Sequence, residues 1–575
     1  MSINTIRVTE DQLNLAAIQA LLDENKENTE FIFEQGAKIS ITPAECKKIP
    51  LDFSNTTHVK ERTVGLHLDG MKNVALDFNG GSLICEGHLA PIVITDSDGI
   101  TIQNANIDWL HPLSAEGIVS ELSTEEEITL AIDKEVFPYK IDKHQLVFLC
   151  GKEKHVCTGG SHAFDKYRKT ILHGTGDKLG AIEKAKEVSE GIVKISGSFP
   201  VPFAPGTIIV LRHGERDHPA LFAENSKNIL VDNTHVYSSA GLGFLIQFCE
   251  NIELSRVVFT ANQKKGRKVV NGHDDGFHLT NNRGKILIEG CQFDGLMDDP
   301  INVHGCAARI EAIDGNRVKG RFVHEQSQGF KYFAKPGDEF AFIKVATMNR
   351  AEFGDVTEYT LDKNRETFTI TFEDELSSDI KVGDALENVT NLPDEVVIRS
   401  CFFGSCRARG ILATVPKVLI EGNYFESAGA AILISGDAAG WYETGATDDV
   451  VIRDNVFTAE CNTSAYQFGD AVISVSPVIA EPDLELPFHR KIVIENNKFN
   501  PSAFPIVYAF STDRLVFEGN SVYMSNKFDT VKPSRAMIAA KLVKNVKIAG
   551  NTIAGQLPRK IISDATGEAK IVKDM

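Results

Sequence analysis

Residues 417–425 read KVLIEGNYF, and the same nine-residue phrase returns as DVVIRDNVF at 449–457 and KIVIENNKF at 491–499. Further copies are KILIEGCQF at 285–293, EVVIRSCFF at 395–403, RLVFEGNSV at 514–522 and NVKIAGNTI at 545–553, with weaker ones from Asn73, Gly99, Asn228 and Asn251. Apolar residues alternate through its first half, as in a strand with one buried face. Neighbouring copies start 22 to 26 residues apart (73 to 99, 228 to 251, 395 to 417, 491 to 514), and the longer gaps of 31 to 42 fit one coil plus a loop. A repeat of that length is one supersecondary unit, which buries its apolar face only by stacking on the next.

Asn stands at one place of the phrase, at 423, 455, 497, 520 and 551. Asn tolerates left-handed backbone and hydrogen-bonds its neighbours at turns, so this column predicts one corner of a coil. The fold expected is all-β: a right-handed parallel β-helix, preferred over a β-sandwich with irregularly spaced strands. Residues 10–27, EDQLNLAAIQALLDENKE, place Leu13, Ala16, Ala17, Ala20 and Leu21 on one helical stripe. This predicts an N-terminal helix capping the open end of the solenoid against edge pairing.

Two segments lack the phrase and read as short alternating strands, such as EEITLAID and GTIIVLRHG in 112–211 and NRVKGRFV and TFTITFED in 306–386. Each is long enough for a small antiparallel β-barrel-like domain. The expected organisation is β-helix with cap over 1–111, a first inserted domain over 112–211, central β-helix over 212–305, a second inserted domain over 306–386 and C-terminal β-helix over 387–575.

The net charge of −19 argues against nucleic acid or a polyanionic sugar as the main partner. The basic run KKGRK at 264–268 reads as a solvated loop. No apolar run is long enough for a membrane span, and MSINTIRVTEDQ lacks the apolar region of a signal peptide. The ten Cys show no metal or disulfide spacing and read as buried thiols.

Candidate chemistry sits in GHDDGFHLTNNRGKILIEGCQFDGLMDDPINVHG, 272–305. One acidic pair, Asp274 and Asp275, precedes a second, Asp298 and Asp299, by 24 residues, close to one coil. Asp298 lies five residues after Phe293. With an insertion of 11 residues around 263–272 removed, Asp275 takes the same fifth place after Phe259. Arg407 and Arg409 fall four and six residues after Phe403. Asp275, Asp298 or Asp299, and an Arg should therefore form a column, with strands about 4.8 Å apart. Repulsion would then raise one carboxyl's pKa and leave another ionised, as acid/base chemistry on a glycosidic bond requires. Simple turn roles, above all for Asp274, and a metal site using His273, His278 and His304 are the alternatives.

Around these residues the chain resembles glycoside hydrolase family 110, the α-1,3-galactosidases. DDPINVHG carries the resemblance, together with ANIDW at 105–109, ALENVT at 385–390, RARGILAT at 407–414, KVLIEGNYF and AILISGDAAGWYETG at 431–445. It spans most of the helix and is thin across the insertions. The resemblance implies exo-acting, inverting hydrolysis of terminal α-1,3-linked galactose, from blood-group B or linear glycans, with no metal or organic cofactor. It places the catalytic acids at Asp275, Asp298 and Asp299, with an extra charge at Asp274. It also implies export, although this chain shows no signal and a cytoplasmic location stays open. Substrate contacts are expected from Asn302, His304, Arg409, Asp437, Glu443 and Asp274, with Trp441 stacking on a sugar ring. A homodimer is one option for assembly. The other readings are a β-helix polysaccharide lyase or epimerase and a non-catalytic glycan-binding solenoid.

Overall fold

The computed structural model describes residues 3–574 apart from 58, 160, 161, 168, 176–179, 465–469, 530–533, 556, 557 and 568. Each phrase forms two strands of a coil. Lys417–Glu421 pairs in parallel with Glu395–Arg399 below and Asp449–Arg453 above, and Tyr424–Phe425 pairs with Phe402–Phe403 and Val456–Phe457. A third strand per coil, such as Ile411–Thr414, stacks between Ile301–His304 and Ile432–Leu433. Three strands per coil, each in a parallel ladder, make a β-helix.

The phrase-final Phe residues fill its interior. Phe293, Phe403, Phe425, Phe457 and Phe499 stack one above another at centroid separations of 4.6 to 5.3 Å. Beside them runs a ladder of Asn side chains: Asn423 Nδ2 donates to Asn455 Oδ1 at 3.0 Å, Asn455 to Asn497 at 3.0 Å and Asn497 to Asn520 at 3.1 Å. The left-handed backbone at that corner belongs to the preceding residue, Gly422, Asp454, Asn496 or Gly519. The Asn column therefore works by pairing buried amides rather than by its own φ. Every amide must be satisfied inside the core, and stacked coils supply identical partners.

A helix over Leu15–Glu24, capped by Asn14 Oδ1 on Ala17 N at 3.0 Å, covers the N-terminal end. It buries Leu15, Ile18, Gln19 and Leu22, and of the expected stripe Leu13 and Leu21 are partly buried against the same core. Ala16 and Ala20 are exposed, because the larger Leu and Ile side chains remove more apolar area from water than alanines do.

The first insertion holds a six-stranded antiparallel sheet, from Ser114–Val119 to Ile208–Arg212, beside a three-stranded one from Tyr139 to Val156, around its own apolar core. The second is entered by one long strand, Ile301–Asp314, whose first residues pair in parallel within the helix and whose last pair antiparallel with Arg317–Arg321. The basic run is not a solvated loop throughout. Arg267 is buried on Asp108, and the Lys268, Val269 and Val270 amides donate to Glu116, tying the first insertion to the helix. The cysteines are free and, Cys46 aside, buried. No described helix is long and apolar enough to cross a membrane.

Candidate active site

Four parallel strands, Phe244–Gln247, Phe277–Thr280, Ile301–His304 and Ile411–Thr414, stack in one sheet, and the residues just before the last three carry the acids and arginines. Phe277 pairs with Ile301 and Ile301 with Ile411, so Asp275 is level with Asp299 and Arg409, not with Asp298. The expected alignment is off by one place. The stretch from Phe259 to Phe277 exceeds those from Phe293 to Ile301 and Phe403 to Ile411 by 18 − 8 = 10 residues, against the 11 assumed. Gly276 is required between coils, since a Cβ there would stand 2.5 Å from the Pro300 carbonyl oxygen.

The acids surround one partly buried guanidinium. Arg216 Nη2 lies 3.3 Å from Asp275 Oδ1, and its Nη1 lies 3.4 Å from Asp298 Oδ2 and 3.5 Å from Asp274 Oδ1. Arg407 Nη1 pairs with Asp298 at 3.2 Å. Arg409 gives Asp299 both its backbone N–H at 2.8 Å and Nη2 at 2.7 Å. Asp274 also pairs with Arg212 and His273.

A second, histidine-centred network supports Asp275. Asn55 Nδ2 donates to His278 Nε2 at 2.6 Å, and His304 Nε2 lies 3.0 Å from the same nitrogen. That nitrogen therefore accepts, and His278 donates its Nδ1–H to Asp275 Oδ2 at 2.7 Å. His304 Nδ1 donates to the Gly305 carbonyl at 2.8 Å, and Glu443 lies 3.7 Å from its other nitrogen.

These surroundings separate the proton affinities. Burial, with the charges of Asp298 and Asp274, pushes Asp275 well above the ordinary carboxylate range despite Arg216. Burial together with Asp298 and Asp275 pushes Asp299 up to about 8 against the pull of Arg409. Asp298 is held below its ordinary value: burial opposes its charge, but Arg407, Arg216 and Arg409 outweigh it. Burial and the charge on His304 keep His278 neutral, whereas Glu443 overcomes burial at His304 and raises it to about 9.

The acids line a cavity of about 430 Å³, together with Asn302, Arg409, Asp437, Trp441 and Glu443. Asn302 Oδ1 finds no hydrogen-bond partner among the described residues, leaving an acceptor for a hydroxyl. Trp441 is 46% exposed and stacks at 4.2 Å on His324 of the second insertion. Asp437 accepts from the Ala439 and Gly440 amides, which commits it to ordering its own loop. Asp274 and His304, also expected among the substrate contacts, are buried and do not line the cavity: Asp274 pairs with Arg212 and Arg216, and His304 with His278.

Sequence reasoning missed Arg212, Arg216 and Asn55, and noted His278 only as a metal candidate. Arg216 lies in RHGERDHP directly after the first insertion, so a polar cluster where an insertion rejoins the acidic block was the available signal. Asn55 carries none. It reaches the site from the loop before Arg62–Asp69. His278, His304 and Glu443 lie close enough together to hold a metal ion, yet His278 has both nitrogens engaged by Asp275, Asn55 and His304.

Residues 115–209 match the GLAA-B beta-barrel domain I family and residues 317–386 the GLAA-B beta-barrel domain II family. An alpha-1,3-galactosidase B of Bacteroides thetaiotaomicron is 37% identical over 89% of this chain and 83% of its own length. An alpha-1,3-galactosidase B of Akkermansia muciniphila is 34% identical over 80% of this chain and 58% of its own length. An alpha-1,3-galactosidase A of Bacteroides fragilis is 32% identical over 97% of this chain and 92% of its own length. With such relatives along most of its length, the chain belongs to the α-1,3-galactosidase family, glycoside hydrolase family 110.

Proposed function

We propose that the protein removes terminal α-1,3-linked galactose from glycans by exo-acting hydrolysis with inversion. The supporting observation is a pair of carboxylates on one guanidinium in opposed surroundings: burial and neighbouring carboxylates push Asp275 up, whereas Arg407 and Arg216 hold Asp298 down. Asp275 is the general acid and protonates the departing glycosidic oxygen. Asp298 is the general base and takes a proton from the water that attacks the anomeric carbon from the opposite face. The C–O bond to the leaving sugar breaks as the bond to water forms, and the proton lost by Asp275 is replaced by the one Asp298 collects once the site exchanges with solvent. An inverting pair stands roughly 6.5–9.5 Å apart to leave room for that water; inversion is part of this reading on family grounds, with both carboxylates held on Arg216.

Asp299, level with Asp275 and clamped by Arg409, is pushed up by Asp298 and Asp275 and is part of the same coupled set of carboxyls. A cavity of about 430 Å³ suits one sugar ring and the linkage to the next. Blood-group B and linear α-1,3-galactosides are the substrates of this reading, and export of the protein is part of it on family grounds. A lyase needs a basic group free to take a proton, whereas Arg212, Arg216, Arg407 and Arg409 are each paired with an aspartate.

Proton NMR of the first turnovers on an α-1,3-galactoside, with and without EDTA, tests the proposal. β-Galactose as the first product, released with or without chelator, is expected. α-Galactose first, an unsaturated product absorbing in the ultraviolet, or binding without turnover would each overturn it.

A further inference from the structure

Away from the cavity, three side chains from two parts of the chain converge on one point. His88 follows the strand Ser82–Cys85 of the β-helix, while Glu153 and His155 lie on Glu153–Val156 of the first insertion. Glu153 Oε2 lies 2.6 Å from His88 Nδ1 and 3.2 Å from His155 Nε2, and one donor atom from each residue fits within 4.8 Å of the other two. Glu153 Oε1 accepts the His88 backbone N–H at 3.0 Å, which fixes the carboxylate.

We propose that these residues form a structural site for a divalent transition metal of the zinc class, clamping the inserted domain onto the β-helix. Two imidazole nitrogens and one carboxylate oxygen are the donor types that zinc takes, with water completing the sphere. Side-chain exposures of 13% for His88, 15% for His155 and 30% for Glu153 leave solvent a way in.

The surroundings already orient the donors. A metal-binding histidine usually gives its other N–H to a carbonyl, and His88 Nε2 lies 3.1 Å from the Glu215 carbonyl oxygen. The Glu215 backbone N–H also lies 3.2 Å from Nε2; a ring protonated at Nε2 turns its Nδ1 lone pair toward the carboxylate, where a cation would sit between them, whereas a ring protonated at Nδ1 donates to Glu153. The His88 loop is pinned by the buried Trp109, whose Nε1–H donates to the Gly87 carbonyl at 2.8 Å. Gly87 has φ +67°, and a Cβ there would stand 2.7 Å from Glu153 Oε1. Close by, His213 is buried with neither ring nitrogen in a hydrogen bond among the described residues, its ring 5.9 Å from that of His155. Glu215 precedes Arg216, so the clamp steadies the segment that delivers the central guanidinium without touching substrate. The alternative is a bare network of ion pairs and hydrogen bonds, which needs no ion.

The test uses the full chain stripped with chelator and titrated with zinc chloride, read by calorimetry, thermal melting and X-ray absorption. One saturable site is expected at micromolar zinc or below, with histidine nitrogen in its shell and a rise in Tm of at least about 2 °C. His155→Gln and Glu153→Gln should lose that uptake and the Tm rise while keeping galactoside turnover at 25 °C. Glu443→Gln, which alters the other histidine cluster, should keep the uptake. No saturable uptake by the native chain at tens of micromolar zinc, or uptake unchanged by His155→Gln, overturns the proposal. Loss of uptake in Glu443→Gln alone does the same.

Discussion

His278 donates its Nδ1–H to Asp275 Oδ2 at 2.7 Å, and its own Nε2 accepts from Asn55 at 2.6 Å. The acid is thereby held by a neutral imidazole whose tautomer is set from behind. A neutral donor steadies a carboxyl without stripping its proton, as a cation in the same place would do.

Substitution of each acid should separate the roles. Asp275→Asn is expected to lower kcat on a natural α-1,3-galactoside by roughly 10²–10⁴-fold. On an activated aryl galactoside the loss should be much smaller, because a good leaving group needs no proton. Asp298→Asn should lose a comparable factor on both substrates. Equal losses for the two variants on the aryl substrate would contradict the assignment.

The pH profile follows from the same environments. Asp298 sits below its ordinary value of 3.8, so the base is ionised through the weakly acid range. Deprotonation of the Asp275–Asp299 pair removes the acid as pH rises, and Asp299 titrates at about 8. The rate should therefore plateau from about pH 5 and fall above about pH 8. Arg216→Met removes a cation from Asp298 and should move the acid-side limb upward. A profile falling instead between pH 5 and 7 would count against this division of charge.

Asp274 predicts a stability effect. It is fully buried, paired with Arg212 and Arg216. Asp274→Ala takes the carboxylate from Arg212 and His273 and leaves Arg216 with two of its three, and should cost roughly 3–5 kcal/mol, seen as a shift of the urea midpoint. Because Asp274 does not line the cavity, KM should change less than the midpoint does.

The Asn ladder offers a check on the fold alone. Asn455→Ala takes the Oδ1 acceptor from the Asn423 backbone N–H and the Nδ2 donor from the Ile420 carbonyl, and cuts the side-chain ladder on both sides. A loss of about 1–3 kcal/mol is expected, with kcat and KM unaltered. An unchanged melting temperature would show that water replaces the ladder.

The fold was legible because a coil rewards the same local pattern on every pass. KVLIEGNYF and its copies needed only alternation and a period to reveal strands, stacked Phe and the Asn column. The helix cap was legible in kind, but its face was partly misassigned, since alternatives with similar periodicity differ only in what they meet. Asp275, Asp298 and Asp299 stood out because acids one coil apart must share a face. Their register was missed by one residue, as the length of a loop is not the length of a coil.

By itself the chain's order of residues determined a parallel solenoid with acids on one flank, because short-range periodicity and stacking act between neighbouring coils. Only the tertiary structure decided that Arg216 sits among Asp274, Asp275 and Asp298, and that Asn55 completes the histidine network from 220 or more residues away. Those contacts come from a loop and from the segment that rejoins the helix after an inserted domain, and their placement depends on packing. Proton affinity in turn depends on burial and on charges met through space, which no local pattern records.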